Sequence, residues 1–222
     1  MSNPVTATLV ASTLTAGQPG WIAVRYDIQP GWHIYWKNPG ETGIPTTVQL
    51  TTPPRWDVGA AQYPGPERFM MPGDLVNYGY DTHAAVLFPV TPQDVAAGTI
   101  TASTRWLVCR DEKCVPGKAT INLDLSSAPE ADLSVFLDHL PTPLPAQIVP
   151  TRRGQDISVR IKEADQIEVF PNLSAEAALQ SVAVDGQTVR LTLKAAPAED
   201  ARAILRVTHG GAVRYHQLSL SP

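Results

Sequence analysis

Proline and glycine interrupt this chain every few residues, 21 and 15 of them in 222 positions, so whatever folds between them must be short. The intervening segments are rich in valine, isoleucine, threonine, leucine and aromatics, which favours strands joined by turns over long helices. "TATLVAS" (6–12), "WIAVRYDI" (21–28), "WHIYWK" (32–37), "TTVQLTT" (46–52), "HAAVLFPV" (83–90), "TITASTRWLV" (99–108) and "ATINLDLS" (119–126) predict strands. Their number and spacing suit an immunoglobulin-like β-sandwich over residues 1–127.

The pattern changes at "SSAPEADLSVFLDHLPTPLPAQ" (126–147). Ala131, Leu133, Phe136, Leu137 and Leu140 fall near helical spacing and "PTPLP" ends the run, which predicts a short helix and a Pro-rich linker over 128–147. "DISVRI", "QIEVFPN", "QSVAVDGQTVRLTLK", "ARAILRVTH" and "VRYHQLSL" then predict a second, smaller β-sandwich over 148–222, with a hairpin turn at Asp185-Gly186. The expected fold class is therefore all-β, in two domains. All five tryptophans and both cysteines lie in the first, so the chemistry is expected there.

Charge excludes some functions. Residues 1–127 carry eight basic and ten acidic side chains and residues 128–222 carry nine and eleven, so no basic face points to nucleic acid. No apolar run reaches the ~20 residues of a membrane span, and Met1-Ser2-Asn3-Pro4 lacks the charged and apolar regions of a signal peptide. The chain reads as a soluble fragment that does not itself insert into a membrane.

Both cysteines stand in "WLVCRDEKCVPG" (106–117), with four charged residues between them. Three uses of the pair stand open. As a structural staple it closes so small a loop that the entropic gain is on the order of 2 kcal/mol, little for a domain of this size. As half of a metal site it would need partners among His33, His83, His139, His209 and His216, none of them paired at ligand spacing. As a redox pair it needs only geometry, and two cysteines flanking a four-residue hairpin loop face each other closely enough to bond. Arg110 and Lys113 favour a thiolate, whereas Asp111 and Glu112 oppose it, so the loop's charges leave the thiol chemistry undecided. A copper(I) site would add Met70 or Met71, although "FMMPG" also reads as a packed turn.

The pattern "GWHIYWKNPGETGIP … YPGPERF … NYGYDTHAAVLFPV … WLVCRDEKCVPGKATINLDL" resembles the periplasmic N-terminal domain of the thiol:disulfide interchange protein DsbD family, and within it the ScsB-type relatives associated with copper tolerance. The likeness covers about residues 5–127; residues 128–222 would be the additional soluble region of the ScsB type. The resemblance implies one station of an electron relay without cofactor or metal. A membrane-embedded part of the same full-length polypeptide would supply electrons, and the Cys109–Cys114 dithiol would pass them to oxidised thioredoxin-fold proteins of the periplasm. Cys114 would form the mixed disulfide and Cys109 would resolve it. The rival reading is a non-catalytic β-sandwich, for adhesion or copper binding, with an inert disulfide.

The resemblance also implies the surroundings of the sulfurs. "GWHIYWK" alternates, with Trp32, Ile34 and Trp36 on one face and His33 and Tyr35 on the other, so His33 and Tyr35 would line the site. His33 could serve there as a proton donor or acceptor, or be a hydrogen-bonded structural residue. A cap loop over the disulfide would correspond to "DLVNYGY" (74–80), where Asn77 stands at the position of the family's shielding aromatic, followed by Tyr78, Gly79 and Tyr80. The two tyrosines could instead belong to the sandwich core. The cysteine spacing is one residue shorter than in DsbD itself.

Overall fold

The computed structural model describes residues 3–94, 98–111 and 113–221, and the chain divides between Leu137 and Asp138 into two compact units. The first contains ten strands: β1 (Val5–Ala11), β2 (Gly20–Ile28), β3 (His33–Gly40), β4 (Thr47–Thr51), β5 (Trp56–Val58), β6 (Glu67–Met71), β7 (Leu75–Asp81), β8 (His83–Pro92), β9 (Thr99–Arg110) and β10 (Lys113–Asp124). One sheet has the order β1-β2-β8-β5. The other runs β10-β9-β3-β7-β6, with β4 also paired to β9.

Alternation along the strands builds the core between these sheets. Ile22, Val24, Tyr26 and Leu87 from the first sheet are fully buried, as are Ile34, Trp36, Ile100, Ala102 and Val108 from the second. Tyr26 joins them directly: its ring meets Trp106 edge-on at 5.7 Å, and its hydroxyl donates to Thr104 Oγ1, which in turn donates to the Thr47 carbonyl. Burial raises the Tyr26 pKa further than the Thr104 hydrogen bond lowers it, so the phenol stays protonated as a structural donor.

In this unit the expected strands are present, and three more appear in stretches the sequence patterns left unassigned: β5, β6 and β7. The segment 128–147 is not a free-standing helix and linker. Its only helix is α1 (Ser134–Leu137), and its first half belongs to the first unit. Glu130 bridges Ala11, Ala131 N–H donates to the Ala11 carbonyl at 2.8 Å, and Leu133 is buried. Its second half belongs to the other unit, where β11 (Thr142–Pro143) pairs in parallel with β18 (Ala212–Ser219).

That second unit contains β11, β12 (Thr151–Arg153), β13 (Asp156–Arg160), β14 (Gln166–Pro171), helix α2 (Leu173–Ala178), β15 (Leu179–Asp185), β16 (Thr188–Leu193), β17 (Arg202–His209) and β18. The strands form two four-stranded sheets, β11-β18-β17-β14 and β12-β13-β16-β15, around Ile157, Val169, Leu191, Leu205 and Leu218. The predicted hairpin joins β15 to β16, with Asp185 paired to Thr188 and Gly186 at a positive φ of 55°. Helix α2 was not among the expected elements; Asn172 caps it by accepting from Ala175 N–H at 2.8 Å.

Candidate functional site

The β9–β10 hairpin pairs twelve residues on each strand without a register shift, and places Cys114 directly opposite Cys109. The sulfurs form a disulfide across a Cα separation of 4.1 Å. Instead of flanking a four-residue loop, the cysteines lie within the ladder, which continues to Arg110 opposite Lys113. Asp111 adopts the left-handed conformation, φ 51°, that a tight hairpin reversal requires. The two sulfur residues differ sharply in access: Cys109 is 0% exposed, whereas Cys114 is exposed.

Three adjacent ladders extend this pair into a row. Cys114 on β10 opposes Cys109 on β9, Cys109 opposes His33 on β3, and His33 opposes Asp81 on β7. Directly paired side chains share a face and sit within contact range, so the imidazole is Cys109's lateral neighbour. His33 is buried, and its Nε2 has no hydrogen-bond partner. Burial lowers its pKa below the ordinary value of 6.5, with the Asp81 carboxylate pulling the other way. The site therefore keeps a neutral ring nitrogen with an unused hydrogen-bonding position.

Tyr35, on the same face, is 2% exposed beneath the segment between β3 and β4. Gly43 lies so close to the Tyr35 ring that a β-carbon there would fall 2.3 Å from Cε1. Two links tie this segment to β7. Thr42 N–H donates to Asn77 Oδ1 at 3.0 Å while Asn77 Nδ2 donates to Thr42 Oγ1 at 2.7 Å, and Val76 N–H donates to Glu41 Oε2 at 2.6 Å. Burial raises the Tyr35 pKa, opposed by a hydrogen bond with the Asn77 side chain.

These contacts correct the expected cap loop. Residues 75–81 are a strand inside the six-stranded sheet, not a loop over the sulfurs. Asn77 is fully buried and fastens Thr42. Tyr78 and Tyr80 are buried at 8% and 7% exposure on the face opposite Asn77; Tyr80 donates to the Pro64 carbonyl at 2.7 Å. Gly79 opposes Tyr35 on the site face and permits a close approach of β7 to β3.

The residue that does lie over the row is Phe69 of β6, absent from the expected set. Its ring stacks on His33 at 4.8 Å and 15°, while Tyr35 meets the same imidazole edge-on at 5.3 Å. Phe69 is half-buried at the sheet edge, on a hairpin that turns at Pro72-Gly73-Asp74, both Gly73 and Asp74 having positive φ. "FMM" is thus strand rather than turn. The available signal was a lone aromatic alternating with exposed neighbours just before a Pro-Gly turn. Phe69 and the segment 41–45 do what was expected of 74–80: they bury the neighbours of Cys109 and leave Cys114 open.

At the hairpin tip, the Arg110 guanidinium lies over the Trp32 ring at 4.9 Å. Among the described residues no group of three His, Cys, Asp or Glu side chains is placed to hold a metal ion. Chemically, the arrangement offers one accessible sulfur, one shielded sulfur, and an unsaturated, neutral imidazole beside the shielded one.

The family profile of the thiol:disulfide interchange protein DsbD, N-terminal, matches residues 4–126. No curated protein matches the chain in sequence closely enough to count as a relative. Among solved structures, the N-terminal periplasmic domain of ScsB from Proteus mirabilis aligns over 98% of this chain and 92% of its own, with TM-score 0.64 at 19% identity. The reduced DsbD N-terminal domain from Neisseria meningitidis aligns over 53% of this chain and 84% of its own, with TM-score 0.36 at 14% identity. The ScsB likeness extends to both units of the fold.

Proposed function

The chain belongs to the DsbD N-terminal family of thiol–disulfide exchange domains, and from that premise we propose that it reduces oxidised thioredoxin-fold proteins in the periplasm, using electrons supplied by a membrane-embedded part of the same polypeptide. The observation that carries this reading is the asymmetry of the disulfide, buried at Cys109 and exposed at Cys114. An inert staple has no need of an accessible sulfur; an exchange site requires one. The unit that performs the exchange is residues up to Leu137, because the segment after β10 is tied to β1 by the Glu130 bridge to Ala11 and the Ala131 hydrogen bond to the Ala11 carbonyl.

In the reduced domain the Cys114 thiolate attacks one sulfur of the partner's disulfide. That bond breaks, the partner's second sulfur leaves as a thiolate, and a Cys114–partner mixed disulfide forms. Cys109 then loses its proton and attacks Cys114 Sγ, which re-forms the Cys109–Cys114 bond and expels the partner's remaining thiolate. Two electrons pass to the partner, and the two thiol protons of the domain balance its two thiolates. His33 takes the Cys109 proton: it is the lateral neighbour of Cys109, it is held neutral by burial, and its Nε2 is unengaged.

The experiment is capture at a defined sulfur. Reduced Cys109→Ser protein mixed with an oxidised thioredoxin-fold protein should accumulate a one-to-one mixed disulfide at Cys114, released by dithiothreitol, because resolution from the domain's side is blocked. A native disulfide with a potential well below about −300 mV, together with no mixed disulfide, would return the pair to the inert class.

The role of His33 has its own readouts. His33→Phe retains a flat ring against Phe69 and deletes the proton site, so exchange near neutral pH should slow by about tenfold or more with the fold intact. Stability reports independently. Because burial lowers the native pKa, the unfolded chain binds more protons, so His33's contribution is complete above about pH 6.5 and is lost as pH falls through the lowered value. Urea unfolding followed by tryptophan fluorescence reports the first unit alone, where all five tryptophans lie. The loss of stability between about pH 7.5 and about pH 5 should be smaller in His33→Phe than in the native chain; an equal loss would mean that His33 does not titrate in this environment.

A further inference from the structure

The disulfide heads a series of cross-strand pairs that continue along its own face of the β9–β10 hairpin. Leu107 opposes Pro116, Arg105 opposes Lys118 and Ser103 opposes Thr120, and strand alternation puts all three pairs on the side of Cys109 and Cys114. On the other flank of β9, Thr47 of β4 stands beside Arg105 and Gln49 beside Ser103. Thr47, Gln49, Ser103, Arg105, Lys118 and Thr120 are exposed and line an open cleft of ≈ 680 Å³ with no carboxylate in its walls.

The charge of this cleft is at odds with the chain around it. The protein carries a formal net charge of −4, yet two cations stand side by side here, and among the described residues neither the Arg105 nor the Lys118 side chain has a hydrogen-bond or ion-pair partner. Between them and the sulfurs lies one apolar step, half-buried Leu107 beside exposed Pro116. Four residues of strand separate Arg105 from Cys109, about 13 Å. An extended polypeptide bonded to Cys114 covers that distance in about four residues.

We propose that this cleft is the docking surface of the redox partner, and that it receives an acidic, extended segment of the partner's chain about four residues from its reactive disulfide. The inference rests on the thiol-exchange reading above. The apolar step accepts the residues next to the partner's cystine, the Arg105–Lys118 pair accepts the carboxylates, and the hydroxyl and amide groups of Ser103, Thr120 and Gln49 provide hydrogen bonds beyond them. Complementary charge at this distance orients the encounter so that the partner's sulfur arrives at Cys114, and it raises the association rate more than the final affinity.

Two synthetic peptide disulfides test this. Each carries an arm of about four residues beyond the cystine, ending in two glutamates in one peptide and two glutamines in the other, and each is mixed with the reduced full chain at low ionic strength. The exchange oxidises the Cys109–Cys114 dithiol and reduces the peptide disulfide to two thiols. The glutamate peptide should react about tenfold faster, and Arg105→Glu with Lys118→Glu should erase or reverse that preference. Reduction of uncharged hydroxyethyl disulfide should be the same in both proteins. Equal rates for the two peptides overturn the proposal. A glutamate preference that survives the double reversal also overturns it, and assigns the recognition to Arg110 and Lys113 at the hairpin tip. Failure to reduce even hydroxyethyl disulfide overturns the exchange reading beneath it.

Discussion

In the reduced protein, iodoacetamide should modify Cys114 about a hundredfold faster than Cys109. Cys114 is already exposed, so its alkylation needs no rearrangement. Cys109 is at 0% exposure, flanked by His33 and roofed on that side by the Phe69 stack. Reaching it requires a local opening of the β6 edge, and an opening free energy of about 3 kcal/mol corresponds to the hundredfold. Mass spectrometry of singly alkylated protein measures the ratio. Phe69→Ala should bring it towards unity by speeding reaction at Cys109 and leaving Cys114 unchanged, since Phe69 stacks on the buried side of the row only. Equal rates in the native chain would mean that the shielding of Cys109 does not outlast reduction, and the assignment of Cys114 as the sulfur that meets the partner would lose its basis.

That asymmetry could not be read from residues 106–117. The flanking charges of the two cysteines nearly cancel, and burial depends on strands far away in sequence. The sandwich itself was legible, because β1, β2, β9 and β10 follow the two-residue period over long runs and β8 is a continuous apolar run buried on both faces. The common face of His33 and Tyr35 was legible for the same reason. β6 and β7 were not. Asn77 and Gly79 weaken the strand signal of β7, although both are there for tertiary reasons: Asn77 reaches Thr42 across 35 positions and Gly79 admits the β3 backbone. A family likeness combined with a polar, glycine-containing stretch then suggested a loop. Phe69 escaped because its contact with His33 crosses β7, and no local pattern encodes a diagonal over an intervening strand. The boundary near residue 137 was blurred for a related reason, the attachment of Glu130 and Ala131 to Ala11 being non-local.

Gly79→Ala should be among the most damaging single changes in the first unit, although it adds only one methyl group. A β-carbon at residue 79 would stand 2.0 Å from the Ile34 carbonyl oxygen and 3.2 Å from the Tyr35 Cα. Those are backbone atoms of the neighbouring strand, so no side-chain rotation relieves the overlap and β7 must move away from β3. We expect a loss of about 3 kcal/mol in urea unfolding followed by tryptophan fluorescence. The displacement also acts on the site. β7 carries Asn77 and Asp81 and links β6 to β3, so shifting it loosens Thr42 over Tyr35 and separates Phe69 from His33. Alkylation of Cys109 should accelerate accordingly. Tyr80→Phe, one residue along but facing the core, distinguishes this from general destabilisation: it removes the hydrogen bond to the Pro64 carbonyl at a cost of about 1 kcal/mol and should leave the alkylation ratio of the two cysteines where it was. If Gly79→Ala costs less than about 1 kcal/mol, or if both variants change the ratio equally, the close packing of β7 on β3 is not what keeps Cys109 covered.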